Sequence, residues 1–280
     1  MEENHDIIKT QCLNCNASVN GNFCQQCGQA TRDNTDRAIG KLLGEFFGNV
    51  FFLDNRFLLS GRYLFRYPGR MTVEFLRGKR KKFISPITLF LFFNLIYFFV
   101  NPLSDYSLSL EDQVYSQPYS DWVREWVVSK LKTEGVEGPD YAVTYQNNSD
   151  TISKSIMIIN VPLIAFFVYV LALKKRRFYY DSLIFAFHFF SLYMASWIML
   201  PWADNLIFLI SGQSESVVAS ISFKLFAFGI PLLYAIGSIK RFMNIRWYWA
   251  IPAGFLVLLS VNLANLFYRF IIFLVTFWAT

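Results

Sequence analysis

The chain has 280 residues, of which 54% are hydrophobic and 19% aromatic while only 16% are charged, against roughly a quarter charged in soluble domains. Water is therefore not its main solvent. The formal net charge of +6 would suit nucleic acid, but the basic residues flank apolar runs, which is the pattern of membrane topology.

Residues 1 to 36 are polar and hold all four cysteines, Cys12, Cys15, Cys24 and Cys27. Glu2, Glu3, His5 and Asp6 provide neither a basic n-region nor an apolar h-region, so no cleavable signal peptide is expected and the tail is expected to stay in the cytoplasm. Two CxxC pairs can complete the tetrahedral four-sulfur shell that zinc favours, and Gly28 suits a knuckle turning backbone amides toward the sulfurs. One structural zinc ion in a zinc-ribbon-like module is the expectation. A tail this short has too little core to fold alone, so the metal would supply most of its folding free energy. An iron site, a redox dithiol and a metal sensor are the alternatives, although a thioredoxin-like pair would need a βαβ context that this tail lacks. Lys9 and Arg32 are offset by Glu2, Glu3, Asp6 and Asp33. Nucleic acid is thus not an expected partner, whereas a cytoplasmic protein docking on residues 1 to 36 is.

Residues 37 to 82 form a juxtamembrane region. Ile39, Leu42, Leu43, Phe46, Phe47, Val50 and Phe51 recur on one helical face, predicting an amphipathic helix from Arg37 to Phe52 that lies in the headgroup plane or packs under the bundle. A basic, aromatic stretch follows from Arg56, broken at Pro68-Gly69. The cluster Arg77, Lys79, Arg80, Lys81 and Lys82 then precedes the first apolar run and marks that end as cytoplasmic. Anionic lipid headgroups are the expected partner of these five residues.

Residues 83 to 280 read as a transmembrane bundle of about five helices: Phe83 to Val100, Ser155 to Leu173, Ser182 to Leu200, Val217 to Ile239, and Trp247 to about Phe267. Lys174 to Arg177, and Lys240, Arg241 and Arg246, place the intervening ends on the same side as the tail, which puts the C-terminus outside. Residues 205 to 210 and 270 to 278 read as extra apolar pieces, re-entrant or interfacial. The polar loop 101 to 155 carries nine acids against four bases, as the outer side of this topology requires, and Trp122, Val123, Trp126, Val127 and Leu131 predict a short amphipathic helix resting on the outer leaflet. The fold class is an all-α integral membrane bundle with a small metal-binding module, multi-pass in the inner membrane with its N-terminus in the cytoplasm.

Ionisable groups at membrane depth are functional candidates. His188 is read as a neutral histidine bonded to a neighbouring helix, and Lys224 and Arg269 as side chains snorkelling to headgroups. Asn160, Asn262 and Asn265 are read as amides joining helices, while Pro162, Pro231 and Pro252 should kink theirs. HExxH, GxSxG and Walker motifs are missing and the chain has only two histidines, which favours a non-enzymatic role.

The order of CxxC, then CxxC-Gly28-Gln29, an amphipathic helix, Tyr67-Pro68-Gly69, the run Glu74 to Arg80 and Phe83-Ile84-Ser85-Pro86 resembles a group of uncharacterised bacterial membrane proteins. These are common in Bacteroidota and pair an N-terminal zinc ribbon with a PG…EYxGKRxxYxxP signature. The resemblance spans residues 12 to 100, with Phe75 and Phe83 standing where the pattern has tyrosine. It implies membrane location and architecture, and no activity. The leading functional reading is an anchor, adaptor or sensor acting through its ribbon. A small-solute transporter or channel, as a homo-oligomer, and a lipid-modifying enzyme using the arginines of residues 56 to 82 are the alternatives.

Overall fold

The computed structural model describes residues 10–30, 55–100, 108–175, 177–211 and 214–280. The amphipathic helix expected from Arg37 to Phe52 lies outside them. Strands β1 (Thr10–Gln11) and β2 (Ser18–Val19) pair antiparallel, Thr10 opposite Val19. The helices that follow are α1 (Asn55–Arg66), α2 (Arg70–Leu76), α3 (Pro86–Val100), α4 (Leu110–Tyr115), α5 (Ser120–Glu134), α6 (Gly138–Ile156), α7 (Asn160–Ala172), α8 (Tyr179–Ser211), α9 (Glu215–Phe223), α10 (Ile230–Met243) and α11 (Trp247–Ala279). A 3₁₀ turn at Met157–Ile159 joins α6 to α7, and a π-helical stretch at Lys224–Gly229 joins α9 to α10.

Among the described residues, four segments are long and apolar enough to cross a membrane: Met157–Lys175, Tyr179–Ser211, Ser216–Met243 and Trp247–Ala279. Large apolar side chains such as Phe166, Leu233, Phe255 and Leu259 project outward from them, unburied by protein. Such surface is unfavourable in water and neutral in lipid. The expected first span, α3, has 15 residues, about 22 Å at 1.5 Å per residue, short of a hydrocarbon core about 30 Å thick. Residues 205 to 210 and 270 to 278 are not separate re-entrant pieces; they are the last turns of α8 and α11, each 33 residues long. Asp204 interrupts the hydrophobic run without breaking the helix, and Pro201 is tolerated inside it.

The described residues sort into two compact units. The first comprises the chain up to Tyr97 together with Ala165–Leu258. At its centre lies α8, every residue of which is buried from Tyr180 to Leu192. Phe90 of α3 packs on Phe187 and Phe190, and Phe185 and Phe189 meet Phe242 and Tyr234 of α10. Tyr67-Pro68-Gly69-Arg70 is a β-turn closed by Arg70 N–H to the Tyr67 carbonyl at 3.0 Å. Gly69 supplies the positive φ of 71° that the third position of a type II turn needs. That turn sits on α10, where the space for a Gly69 Cβ is filled by Ser238 backbone at 2.6 Å. The π-helical stretch ends just before Pro231, whose ring would otherwise strike the carbonyl four residues back.

The second unit, Phe98–Ile164 with Leu259–Thr280, shows that the described part of the polar stretch, residues 108 to 155, is largely helical. Ser109 caps α4 by accepting the Asp112 N–H at 3.0 Å, and Gly135 ends α5 in the left-handed region. Val123 and Val127 of α5 face inward with Tyr141 and Tyr145 of α6 around Phe273 of α11. The α5 helix is therefore present as predicted, but its apolar stripe covers α11; Trp126 stacks on Phe273 with centroids 6.4 Å apart, and Trp122 stays exposed.

Candidate metal centre and its seat

Cys12-Leu13-Asn14-Cys15 and Cys24-Gln25-Gln26-Cys27 fold into two knuckles with the same hydrogen-bond plan. The first cysteine's N–H bonds the carbonyl five residues on, Cys12 to Ala17 at 2.9 Å and Cys24 to Gln29 at 2.8 Å. The N–H four residues after that cysteine returns to its carbonyl, Asn16 to Cys12 and Gly28 to Cys24, both at 2.8 Å. Each knuckle closes on a left-handed residue, Asn16 with φ 61° and Gly28 with φ 69°, and asparagine and glycine are the residue types that adopt it most readily.

The plan brings the four sulfurs within 4.8 Å of one another, Cys12 to Cys27 at 3.6 Å and Cys15 to Cys24 at 3.5 Å. These residues could hold one metal ion, and four thiolates form a soft donor set that favours zinc or iron. The protein field already separates the thiols. The Cys27 N–H, opposed by burial and helped by the Gln26 N–H and neighbouring sulfurs, pulls Cys24 down to about 7. For Cys15 the Ala17 N–H acts downward, but burial and the three other sulfurs together push it up to about 12. A cation among the sulfurs would displace the remaining protons, so binding would release protons and strengthen as pH rises.

The four-cysteine module is seated on the loop between α2 and α3. Gln29 Nε2 donates to the Gly78 carbonyl at 2.7 Å, and the Lys82 N–H donates to Asn14 Oδ1 at 3.0 Å. Leu13 covers Gly78 so closely that a Cβ there would lie 2.7 Å from Leu13 Cδ1, and Gly78 itself has φ 96°. Both knuckles thus contribute an amide to one five-residue loop. Spacing arguments from the cysteines alone missed this role of Asn14 and Gln29.

The same loop converges on Glu74 of α2. Arg70 Nε lies 2.9 Å from Oε1, while Lys82 and Lys79 reach Oε2 at 2.6 and 3.9 Å. Lys82 Nζ also donates to Tyr63 Oη at 2.9 Å and lies 4.5 Å from the centre of the Tyr63 ring. Burial acts to raise the Glu74 pKa, but the bonds from Lys82 and Arg70 and the charge of Lys79 outweigh it and hold the carboxyl below its ordinary value. For Lys82 burial acts downward, and the bonds to Glu74 and Tyr63 reverse it to a raised value. Of the five predicted headgroup-binding cations, Arg77 and Lys81 are exposed, Lys79 and Lys82 serve Glu74, and the Arg80 guanidinium lies 5.8 Å from the centre of the Phe75 ring. Phe75 and Phe83 are both buried, so both positions serve ring packing here.

His188 is buried on α8, with Nδ1 2.8 Å from Thr72 Oγ1 of α2 and its ring edge-on to Phe75. The expected neighbouring-helix bond is there, and its partner is the segment that carries Glu74. Lys224 is exposed, as snorkelling requires, and Arg269 is half-buried in the second unit. Asn160 turns back on its own chain, with Nδ2 3.3 Å from the Met157 carbonyl, which also accepts the Asn160 backbone N–H. Arg177, from the basic row after α7, donates to the Phe242 carbonyl at 2.8 Å near the end of α10 and lies 3.8 Å from Asp181. The arginines of residues 56 to 82 do not converge as a group: Arg62 and Arg66 are exposed, and only Arg70 joins Glu74.

A family model described as protein of unknown function (DUF3667) matches residues 54–98. That segment comprises α1, α2, the Gly78–Lys82 loop and nearly all of α3, so the match falls on the seat of the metal module and not on the cysteines. No curated protein and no solved structure matches the chain.

Proposed function

We propose that the chain is a non-enzymatic inner-membrane adaptor or sensor, in which a zinc ribbon at residues 12 to 27 shapes the basic loop before α3. One zinc ion on Cys12, Cys15, Cys24 and Cys27 is the resident metal. The N-terminus faces the cytoplasm, the bundle is the anchor, and the ribbon offers its exposed surface to a cytoplasmic protein. Arg77, Lys79, Arg80, Lys81 and Lys82 meet anionic headgroups, each cation near such a surface adding about 1 kcal/mol. The observation that carries this reading is the paired grip of Asn14 and Gln29 on Gly78 and Lys82. It ties the state of a soluble metal module to the segment matched by the family model.

The test is metal content and association measured on the same detergent-solubilised protein. The expected result is about one zinc per chain, lost in a Cys12→Ser, Cys15→Ser variant, together with a protein captured from the cell by wild type and not by that variant. Iron in place of zinc, or a capture profile indifferent to the cysteines, overturns the reading.

A further inference from the structure

The Glu74 cluster holds more positive charge than its carboxylate neutralises. Arg70, Lys79 and Lys82 all reach one side chain that carries a single negative charge. The Lys79 and Lys82 ammonium groups lie within about 6.5 Å of each other, since both approach Oε2 at 3.9 and 2.6 Å, and at that separation like charges repel appreciably away from bulk water. Two positive charges remain over. The Arg70 guanidinium also lies 5.7 Å from the centre of the Tyr63 ring and 5.5 Å from that of Tyr67, within cation–π range of both. Tyr63 accepts the Lys82 bond and retains its own O–H for a further acceptor.

The cluster is built and open at once. Glu74 is buried, with a side-chain exposure of 9%, while Arg70 and Lys79 are 53% and 42% exposed. The loop that carries Lys79 and Lys82 is fixed from its other side by Asn14 and Gln29. Three cations held by an internal carboxylate, with donors left facing outward, fit a phosphate group: a guanidinium fork, two ammonium point charges and a phenol. A dianion would cancel the surplus charge.

We propose that Arg70, Lys79, Lys82 and Tyr63 form a specific phosphate-binding site, with Glu74 as its internal strut. The ligand is a phosphate monoester, either a lipid headgroup of that chemistry or a soluble phosphate. The site deepens the proposed headgroup contact and rests on that reading, but differs from it in being stoichiometric and in recruiting Arg70.

The experiment measures binding to the full chain, first of inorganic phosphate in detergent and then of phosphatidate in nanodiscs of otherwise neutral phospholipid. Wild type is compared with Lys79→Ala, Lys79→Arg and an exposed control, Lys174→Ala. Lys79 makes the longest contact with Glu74, so its removal leaves the Arg70 and Lys82 bonds to hold the fold. Saturable binding at one site per chain is expected, weakened about tenfold or more by Lys79→Ala, largely restored by Lys79→Arg and unchanged by Lys174→Ala. Saturation by inorganic phosphate assigns a soluble ligand; saturation only by phosphatidate assigns the lipid. Binding that is non-saturable, or that Lys79→Ala and Lys174→Ala reduce equally, overturns the site. That outcome leaves the diffuse attraction of Arg77 and Lys81 for anionic membranes intact, so failure of the site is distinguishable from failure of the proposed function.

Discussion

Glu74 is the single acid among residues 55 to 82, where nine cations stand. A lone carboxylate in such a field must collect partners, and it collects Arg70, Lys79 and Lys82. Because its pKa is lowered by folding from an ordinary 4.5, its stabilising contribution is present above about pH 4.5 and fades as pH falls through the lowered folded value. Lys82 shifts the other way: raised from 10.5, it contributes fully below that pH and its share is lost as pH rises through the folded value. Thermal unfolding in detergent between pH 7 and 3 should show wild type losing stability below about pH 4.5, while Glu74→Gln starts about 2 kcal/mol lower, since it leaves three cations facing one another, and has a flatter acid limb. Equal acid slopes for the two proteins would refute this account. Gly69 gives a sharper case. Its φ of 71° and the 2.6 Å approach of Ser238 backbone combine strain with overpacking, so Gly69→Ala is expected to lower stability by about 3 kcal/mol, whereas Gly61→Ala, with open space around it, should be neutral or slightly stabilising in its helix. The Pro-Gly turn was legible in the sequence because the dipeptide has local conformational meaning. Its docking on α10 was not, since a contact between residues 69 and 238 leaves no trace in either local pattern.

At the scale of elements, hydropathy located the long apolar segments and misjudged their ends. It stopped α8 near Leu200 because Pro201 and Asp204 lower a window average, yet neither breaks the helix. The stripe of Trp122, Val123, Trp126, Val127 and Leu131 is amphipathic as expected, but it meets protein and not lipid; period alone cannot tell a membrane from a protein face. The protein face is α11, and α5 grips it by one polar contact as well: Lys130 Nζ donates to the Phe277 carbonyl at 2.6 Å and lies 4.8 Å from the centre of that residue's ring. The last carbonyls of a helix lack intrahelical donors and carry partial negative charge, so a cation here satisfies both deficits. Lys130→Met keeps the apolar stem and removes the donor. It should destabilise the second unit by about 1 kcal/mol, seen as faster amide exchange in α5 and the last two turns of α11 with no change in the metal-binding module. Unchanged exchange in both helices would show that the contact carries no net stability.

For the whole molecule, the question is how far the state of four cysteines reaches. The cysteine spacing predicts four sulfurs around one point, and the structure brings them within 4.8 Å of one another, where they could hold a metal ion. What spacing could not reveal is that the residues between and just after the cysteines, Asn14 and Gln29, bind the loop from Gly78 to Lys82; amide side chains pair with any backbone, so their targets depend on the tertiary fold. Among its described residues, 10–30, the module buries only a handful, Cys12, Val19 and Cys24 chief among them, too few to hold it folded against about 1 to 2 kcal/mol of backbone entropy per residue. Removing the proposed metal should therefore melt the four-cysteine module and release the loop together. Hydrogen exchange of the full chain in detergent tests this through one amide, the Lys82 N–H that bonds Asn14. Chelation should abolish its protection, Asn14→Ala should do so with metal content unchanged, and Gln29→Ala, which frees Gly78 instead, should have a smaller effect there. Should the Lys82 amide stay protected after chelation, the loop is shaped by Glu74 and α2 alone, and the proposed link from the cysteines to the loop fails.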